Sequence, residues 1–181
     1  MLFIETIIIL TSGCISSSKI LKNIIIFVDF NNRYMKNIGS TYHIGCSTDD
    51  NYVQHASVMI CSLLENNRDN SIVIHLLHDV LSQENKDFIS GLVRRYGADI
   101  VFHKVDVRKL QGVKIRSKRP LSMAAYYRLL LSSVLEGVDK VLYLDVDTAV
   151  LGDVTPLFEL EMDDYALAAV KDVVPCFDDH R

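Results

Sequence analysis

Two hydrophobic periods alternate along this chain from position 42 onward. Short apolar runs give way to segments whose apolar residues recur every three or four positions, the patterns of strands and of one-sided helices. Tyr42 to Ser47 reads as a strand, followed by a helix with Val53, Ala56, Ile60, Leu63 and Leu64 on one face. Ile72 to Leu77 is a second strand, running into His78 and Asp79. Ser82 is placed to cap a helix whose apolar face is Phe88, Ile89, Leu92, Val93 and Tyr96, with Gly97 as its stop. Ile100 to Val105 predicts a third strand, and Val141 to Leu144 a fourth. Between those two, Ser122 can cap a helix carrying Met123, Tyr126, Tyr127, Leu130 and Leu131, and Tyr165 to Val170 reads as a fifth strand. Such alternation predicts an α/β fold with right-handed crossovers: a mostly parallel sheet with helices on both faces.

The first 34 residues do not follow this pattern. Their apolar patches, Ile7 to Leu10 and Ile24 to Val28, fall well short of the roughly eighteen residues of a membrane span. Glu5 is the only charged side chain before the first patch, whereas a signal peptide begins with basic residues. The stretch 11-TSGC-14 resembles a lipoprotein cleavage box, but Thr11 stands where an aliphatic residue is usual. The plainer expectation is that Met35 is the natural start, that residues 1–34 are an extension of uncertain origin, and that residues 42–181 hold the functional domain.

Composition narrows the function classes. With 181 residues, 49% of them hydrophobic, the chain can bury one core. Its formal net charge of −4 argues against nucleic acid as a partner, since phosphate backbones call for a broad basic surface. A basic run from Lys104 to Arg119, opposed only by Asp106, reads either as a solvated loop or as a face for an anionic ligand or a membrane surface. The four cysteines, at 14, 46, 61 and 176, have no zinc-site spacing and read as reduced thiols of a cytoplasmic protein.

The chemistry sits where strands end. In 141-VLYLDVDTAV-150, Asp145 and Asp147 close an apolar run with one residue between them, and strand alternation would aim both to one side. Two like charges that close call for a cation between them, and a divalent metal is the simplest. A chain this rich in Asp would carry roughly one or two such triplets by chance, so the spacing alone decides little. Ligands of parallel sheets bind beyond the carboxyl ends of the strands. On that rule the turn 48-TDDNY-52, the Asp145 and Asp147 pair, and Asp172 after the last strand should open onto one edge. Neither phosphate-cradling glycine motif occurs in the sequence, so a phosphorylated ligand here would depend on a metal and basic side chains.

Two families share the motif. A hydrophobic strand followed by D-x-D-T resembles the first motif of haloacid-dehalogenase-like phosphatases, which would make Asp145 a nucleophile, Asp147 an acid/base and Thr148 a phosphate ligand. Three strand-helix units precede it here, and Lys171 is the only lysine after it, so the position is wrong for that family. From Tyr42 to about Val173 the chain instead resembles the amino-terminal part of family 8 glycosyltransferases. The resemblance rests on four stretches in order, 45-GCSTDDNY-52, 122-SMAAYYRLLL-131, 139-DKVLYLDVDTAVLGDVTPLF-158 and 166-ALAAVKD-172. It implies a Rossmann-like GT-A type nucleotide-sugar-binding fold and a retaining hexosyltransferase that uses a UDP-sugar donor with Mn2+ or Mg2+.

Carried over by residue, the resemblance implies that Asp49 and Asn51 hydrogen-bond the uracil and Tyr52 stacks on it, with Ser47, Thr48 and Val146 alongside the nucleotide. Arg128 would offset donor charge, Asp145 and Asp147 would hold the metal against the diphosphate, and Asp172 would bind hydroxyls of the transferred sugar. The implied partners are a nucleotide-sugar donor and a glycan or lipid-linked glycan acceptor, which would bring a cytoplasmic protein to the inner face of the membrane. The family's third metal ligand, a histidine in an H-x-x-G-x-x-K-P-W-like motif, has no counterpart before Arg181, since His180 lacks that context. The expectation is therefore a chain truncated at its carboxyl end, with a catalytically incomplete nucleotide-binding remnant as the alternative.

Overall fold

A computed structural model of the chain describes residues 7–11, 20–24, 40–110, 123–162 and 165–170. Seven strands form one sheet: β1 (Ile7–Thr11), β2 (Ile20–Ile24), β3 (Thr41–Ser47), β4 (Ser71–His78), β5 (Asp99–Lys104), β6 (Lys140–Leu144) and β7 (Leu167–Val170). Their order across it is β2-β7-β1-β6-β3-β4-β5. The block β6-β3-β4-β5 is wholly parallel, as the strand-helix alternation requires. β1 lies antiparallel between β6 and β7, and β2 pairs parallel with β7 at the far edge. Two strands of the sheet thus come from the 34 residues whose pattern had set them apart.

Alternating side chains divide the core in two. On one face Ile44, Cys46, Ile74, Leu76, Leu142 and Leu144 pack with the helices α1 (Val53–Asn66) and α2 (Gln83–Arg95). The opposite face carries Leu77 and Tyr143 under a 3₁₀ segment, Met123–Leu130, which continues into the short helix α3 (Leu131–Val134). The sequence pattern predicts a longer regular helix there, and its proposed cap, Ser122, lies outside the described residues. In α1 the predicted Val53, Ala56, Ile60, Leu63 and Leu64 are all buried. In α2, Ser82 caps as expected, its Oγ accepting from the Asn85 amide at 3.3 Å, and Gly97 ends the helix with φ +71°, a left-handed turn that glycine enters without a Cβ penalty. Phe88 departs from the prediction: it is exposed, because Ile89, Leu92 and Val93 alone fill the stripe that meets the sheet.

One polar side chain anchors the connection after β6. Asn67 is buried; its amide donates to the carbonyls of Leu63 (2.8 Å) and Gly152 (3.2 Å), and its oxygen accepts from the Val154 amide (3.0 Å). Ser62 accepts from the Val150 amide at 2.9 Å. The end of α1 therefore holds residues 150–154 in place, up to α4 (Thr155–Phe158), and Lys140 Nζ donates to the carbonyls of Phe158, its last residue, and of Leu160 just beyond it. Burial also pushes the Cys46 thiol up to about 12, which keeps it protonated.

Three strands share a histidine ladder. His43 Nδ1 lies 2.9 Å from His75 Nε2, and His75 Nδ1 lies 3.0 Å from His103 Nε2. Each neutral imidazole has one donor and one acceptor nitrogen, so neutral rings can pass hydrogen bonds along the row, whereas two neighbouring cations would leave a contact with no acceptor. Burial, then the neighbouring His103 and His43, push His75 down to about 4 from an ordinary 6.5. The unfolded chain then takes up the proton first, so stability is full above about pH 6.5 and is lost as pH falls toward 4. Thermal unfolding across that window should show Tm dropping by roughly 5 °C or more, and His75→Gln should flatten the slope. A wild-type Tm independent of pH there would mean that the ladder is not held neutral.

Candidate active site at the carboxyl edge of the sheet

The carboxyl ends of β3, β4 and β6 lie side by side, since β3 pairs in parallel with both neighbours. After β3, the Thr48 amide donates to the Leu77 carbonyl at 3.1 Å, tying this turn to the end of β4. Asp49 Oδ1 accepts from the amides of Asn51 (2.9 Å) and Tyr52 (3.2 Å), fixing the turn that leads into α1. Asp49 thus caps the turn. Asn51 and Tyr52 are exposed beside it, and the Tyr52 ring lies 5.3 Å from that of His55. Asp50 reaches sideways: its Oδ1 accepts from the Ser82 amide (2.9 Å), Ser82 Oγ (3.0 Å) and Asn85 Nδ2 (2.7 Å). These bonds, the Ser82 amide foremost, hold its carboxyl below the usual carboxylate range.

β6 ends at Leu144, and the chain turns at once. The Thr148 amide (3.2 Å) and hydroxyl (2.7 Å) both donate to the Asp145 carbonyl, so Val146 and Asp147 occupy a turn and strand alternation does not orient the two carboxylates. Asp145 is half-buried and Asp147 exposed, while Val146 packs its side chain toward the core. Asp145 is paired: its Oδ1 lies 2.8 Å from Arg128 Nη2, and its Oδ2 3.4 Å from Nη1. The 3₁₀ segment thereby delivers Arg128 to the same edge as the aspartates.

The sequence brought forward ten site residues, and the structure places nine of them. Asp49, Asn51 and Tyr52 share one turn; Asp145, Val146 and Asp147 share the next, with Arg128 against Asp145. Ser47 and Thr48 are buried, and their hydroxyls are engaged within the protein, Ser47 with Tyr143 and Ala124 and Thr48 with the Asp49 carbonyl. Asp172 lies outside the described residues. Sequence reasoning missed Tyr143, whose ring lies under the Arg128 guanidinium at 5.0 Å; its spacing of two from Asp145 was the available signal. Burial, and then the charges of Asp79 and Asp49, raise the pKa of Tyr127. In the basic run, Arg108 forks onto Asp106 and holds that carboxyl down at about 2, and positions 111–122 lie outside the described residues.

Among the described residues no group of three or more His, Cys, Asp or Glu side chains is placed to enclose a metal, and no helix is long and apolar enough to cross a membrane. At the carboxyl edge the Asp145–Arg128 pair, the exposed Asp147 and the exposed aromatic turn stand among the further carboxylates of Asp49, Asp50 and Asp79.

Comparison with known proteins is specific. Residues 43–181 match the family model of glycosyl transferase family 8. The lipopolysaccharide 1,2-glucosyltransferase of Escherichia coli is 33% identical over 134 residues, 74% of this chain and 39% of that protein. The lipopolysaccharide 1,3-galactosyltransferase of Salmonella typhimurium is 27% identical over 130 residues, 71% of this chain and 38% of its own length. The crystal structure of the galactosyltransferase LgtC in complex with donor and acceptor sugar analogs superposes with a TM-score of 0.60 at 30% identity, covering 66% of this chain and 43% of that one. The chain therefore spans about two fifths of the length of these relatives.

Gly45, in the middle of β3, lets α3, which continues the Arg128-bearing 3₁₀ segment, seat close to the sheet. A Cβ there would lie 3.1 Å from Leu131 Cδ2 and 3.4 Å from both Tyr143 and Val141 side chains. Gly45→Val should lift that segment from the sheet and cost about 1–3 kcal/mol, read as a lower midpoint in denaturant. A variant as stable as the wild type would show that the packing has room the geometry denies.

Proposed function

The chain belongs to glycosyl transferase family 8, and we propose that it binds a UDP-sugar together with Mn2+ or Mg2+ and serves the retaining transfer of glucose or galactose to a glycan or lipopolysaccharide-type acceptor. One observation carries this reading: an exposed aromatic turn after β3 and a carboxylate–guanidinium pair after β6 open onto the same carboxyl edge of the sheet. With the family assignment, the phosphatase reading of Asp145 and Asp147 is dropped.

The division of labour follows from residue chemistry. Tyr52, 46% exposed, offers a π face to uracil, while Asn51 and the Asp49 turn offer donors and acceptors to its edge. Asp145 and Asp147 are hard oxygen donors of the kind Mn2+ and Mg2+ take, and two of them leave coordination positions for diphosphate oxygens. Bound there, such an ion would stabilise the negative charge that grows on a departing nucleoside diphosphate. Arg128 supplies a fixed positive charge on the other side of Asp145. Asp172 is proposed to hold the hydroxyls of the transferred sugar. A lipid-linked acceptor would bring the protein to the inner face of the membrane as a peripheral partner. The relatives named for lipopolysaccharide transfer and the LgtC complex with donor and acceptor sugar analogs support this choice of substrates.

Calorimetric titration with UDP tests the reading directly. Binding is expected in Mn2+ and should weaken at least about tenfold in chelator, because the carboxylates and diphosphate repel without a bridging ion; equal affinity in both would sink the metal assignment. A pair of substitutions tests the base end. Tyr52→Ala should weaken UDP binding by about tenfold, since base–aromatic stacking contributes roughly 1–3 kcal/mol. Tyr127→Ala, which truncates a ring packed in the second core cluster, should lower Tm and leave the affinity of the folded fraction near wild type. A folded Tyr52→Ala chain that binds UDP normally would move the uracil site elsewhere.

A further inference from the structure

Arg128 is held far more firmly than an ordinary surface ion pair. Its two terminal nitrogens fork onto Asp145 at 2.8 and 3.4 Å, its Nε donates to the Ala125 carbonyl at 2.7 Å, and its guanidinium carbon lies 5.0 Å from the centroid of the Tyr143 ring. The two charged side chains are only 21% and 18% exposed. A free Arg–Asp pair at a surface contributes little, because two long side chains must be ordered to form it. Here the ring and the backbone carbonyl have already ordered one of them.

Tyr143 is in turn fixed from behind. Its side chain is 1% exposed, and its hydroxyl oxygen lies 2.6 Å from Ser47 Oγ. Ser47 gives its only hydroxyl proton to the Ala124 carbonyl at 2.8 Å, so the Tyr143 hydroxyl is the donor in the Tyr143–Ser47 bond. Donation leaves electron density on the phenol ring, which favours the cation above it. Ser47 on β3, Tyr143 on β6 and Ala124, Ala125 and Arg128 on the 3₁₀ segment thus form one continuous chain of contacts ending on the Asp145 carboxylate.

We propose that Tyr143 is a positioning residue: it holds Arg128, and through Arg128 the carboxylate of Asp145, in the one orientation that receives a metal-bound diphosphate. This rests on the reading of the site given above. A carboxylate has more lone pairs than a guanidinium fork consumes, so orientation by Arg128 and ligation of a metal by Asp145 are compatible. Ser47 acts one step further back, as the acceptor that fixes the ring.

The test compares two ligands on three proteins. UDP with Mn2+ is titrated by calorimetry, and uridine, which reaches only the base end, by ligand-observed NMR, on wild type, Tyr143→Leu and Tyr143→Phe, each checked for folding by circular dichroism. Tyr143→Leu, which removes the ring, should weaken Mn2+–UDP binding by about tenfold and leave uridine binding unchanged. Tyr143→Phe, which keeps the ring and loses the bond to Ser47, should stay within about threefold of wild type for both ligands. If the leucine variant does not fold, Tyr143→Met fills more of the volume without a π face and carries the same comparison. A folded ring-less variant that binds Mn2+–UDP as wild type does, or that loses both ligands equally, overturns the positioning role. A wild type that binds uridine but shows no metal-dependent UDP affinity overturns the metal reading itself, and this inference with it.

Discussion

Strand β3 is the constraint on which the rest depends. It is hydrogen-bonded in parallel to β4 on one side and β6 on the other, and residues on both of its faces are buried. A strand so enclosed can shift register only by sending a whole face into the wrong core. Its position therefore sets where its neighbours end, and because all three run the same way, their following turns open together. The helices α1 and α2 cover one face and the 3₁₀ segment covers the other.

That edge gathers negative charge. Asp49, Asp50, Asp79, Asp145 and Asp147 all follow strand ends, and such crowding destabilises a fold unless each charge has an offset. Three offsets are visible. Backbone amides take Asp49, the Ser82 and Asn85 groups take Asp50, and Arg128 takes Asp145. The first two serve the fold, because one fixes the turn before α1 and the other holds the cap of α2. The third differs in kind, since it holds a charge at the edge without spending it on a helix end, and it is the one connected to a buried aromatic and a buried hydroxyl.

The two amino-terminal strands show how sheet completion escapes a local reading. β1 lies between β6 and β7, antiparallel to both, so it joins the parallel block to the rest of the sheet. Its residues, Ile7 to Thr11, form a short apolar run like many others. Nothing in such a run names its partner, because antiparallel pairing over a long separation leaves no periodic trace.

Local order was legible wherever one short-range force decides it. The apolar periods marked β3 to β7, α1 and α2 nearly to their ends, and Ser82 and Gly97 marked the limits of α2, because caps and alternation act within a few residues. The site was legible as a set of aspartates after strands, since parallel topology alone brings such ends together. The turn at Asp145 to Thr148 was not, because the Thr148 hydroxyl ends the strand one residue before the pair and the alternation rule stops with it. Nor was the partnership of Arg128 with Asp145, Tyr143 and Ser47. Those residues lie between 2 and 98 positions apart, and the packing of the 3₁₀ segment and of Leu131 in α3 over the sheet at Gly45 brings them within reach. Sequence by itself determined which chemistry reaches the edge; the tertiary structure decided which charge is held there and by what, because that depends on contacts between side chains that no local pattern relates.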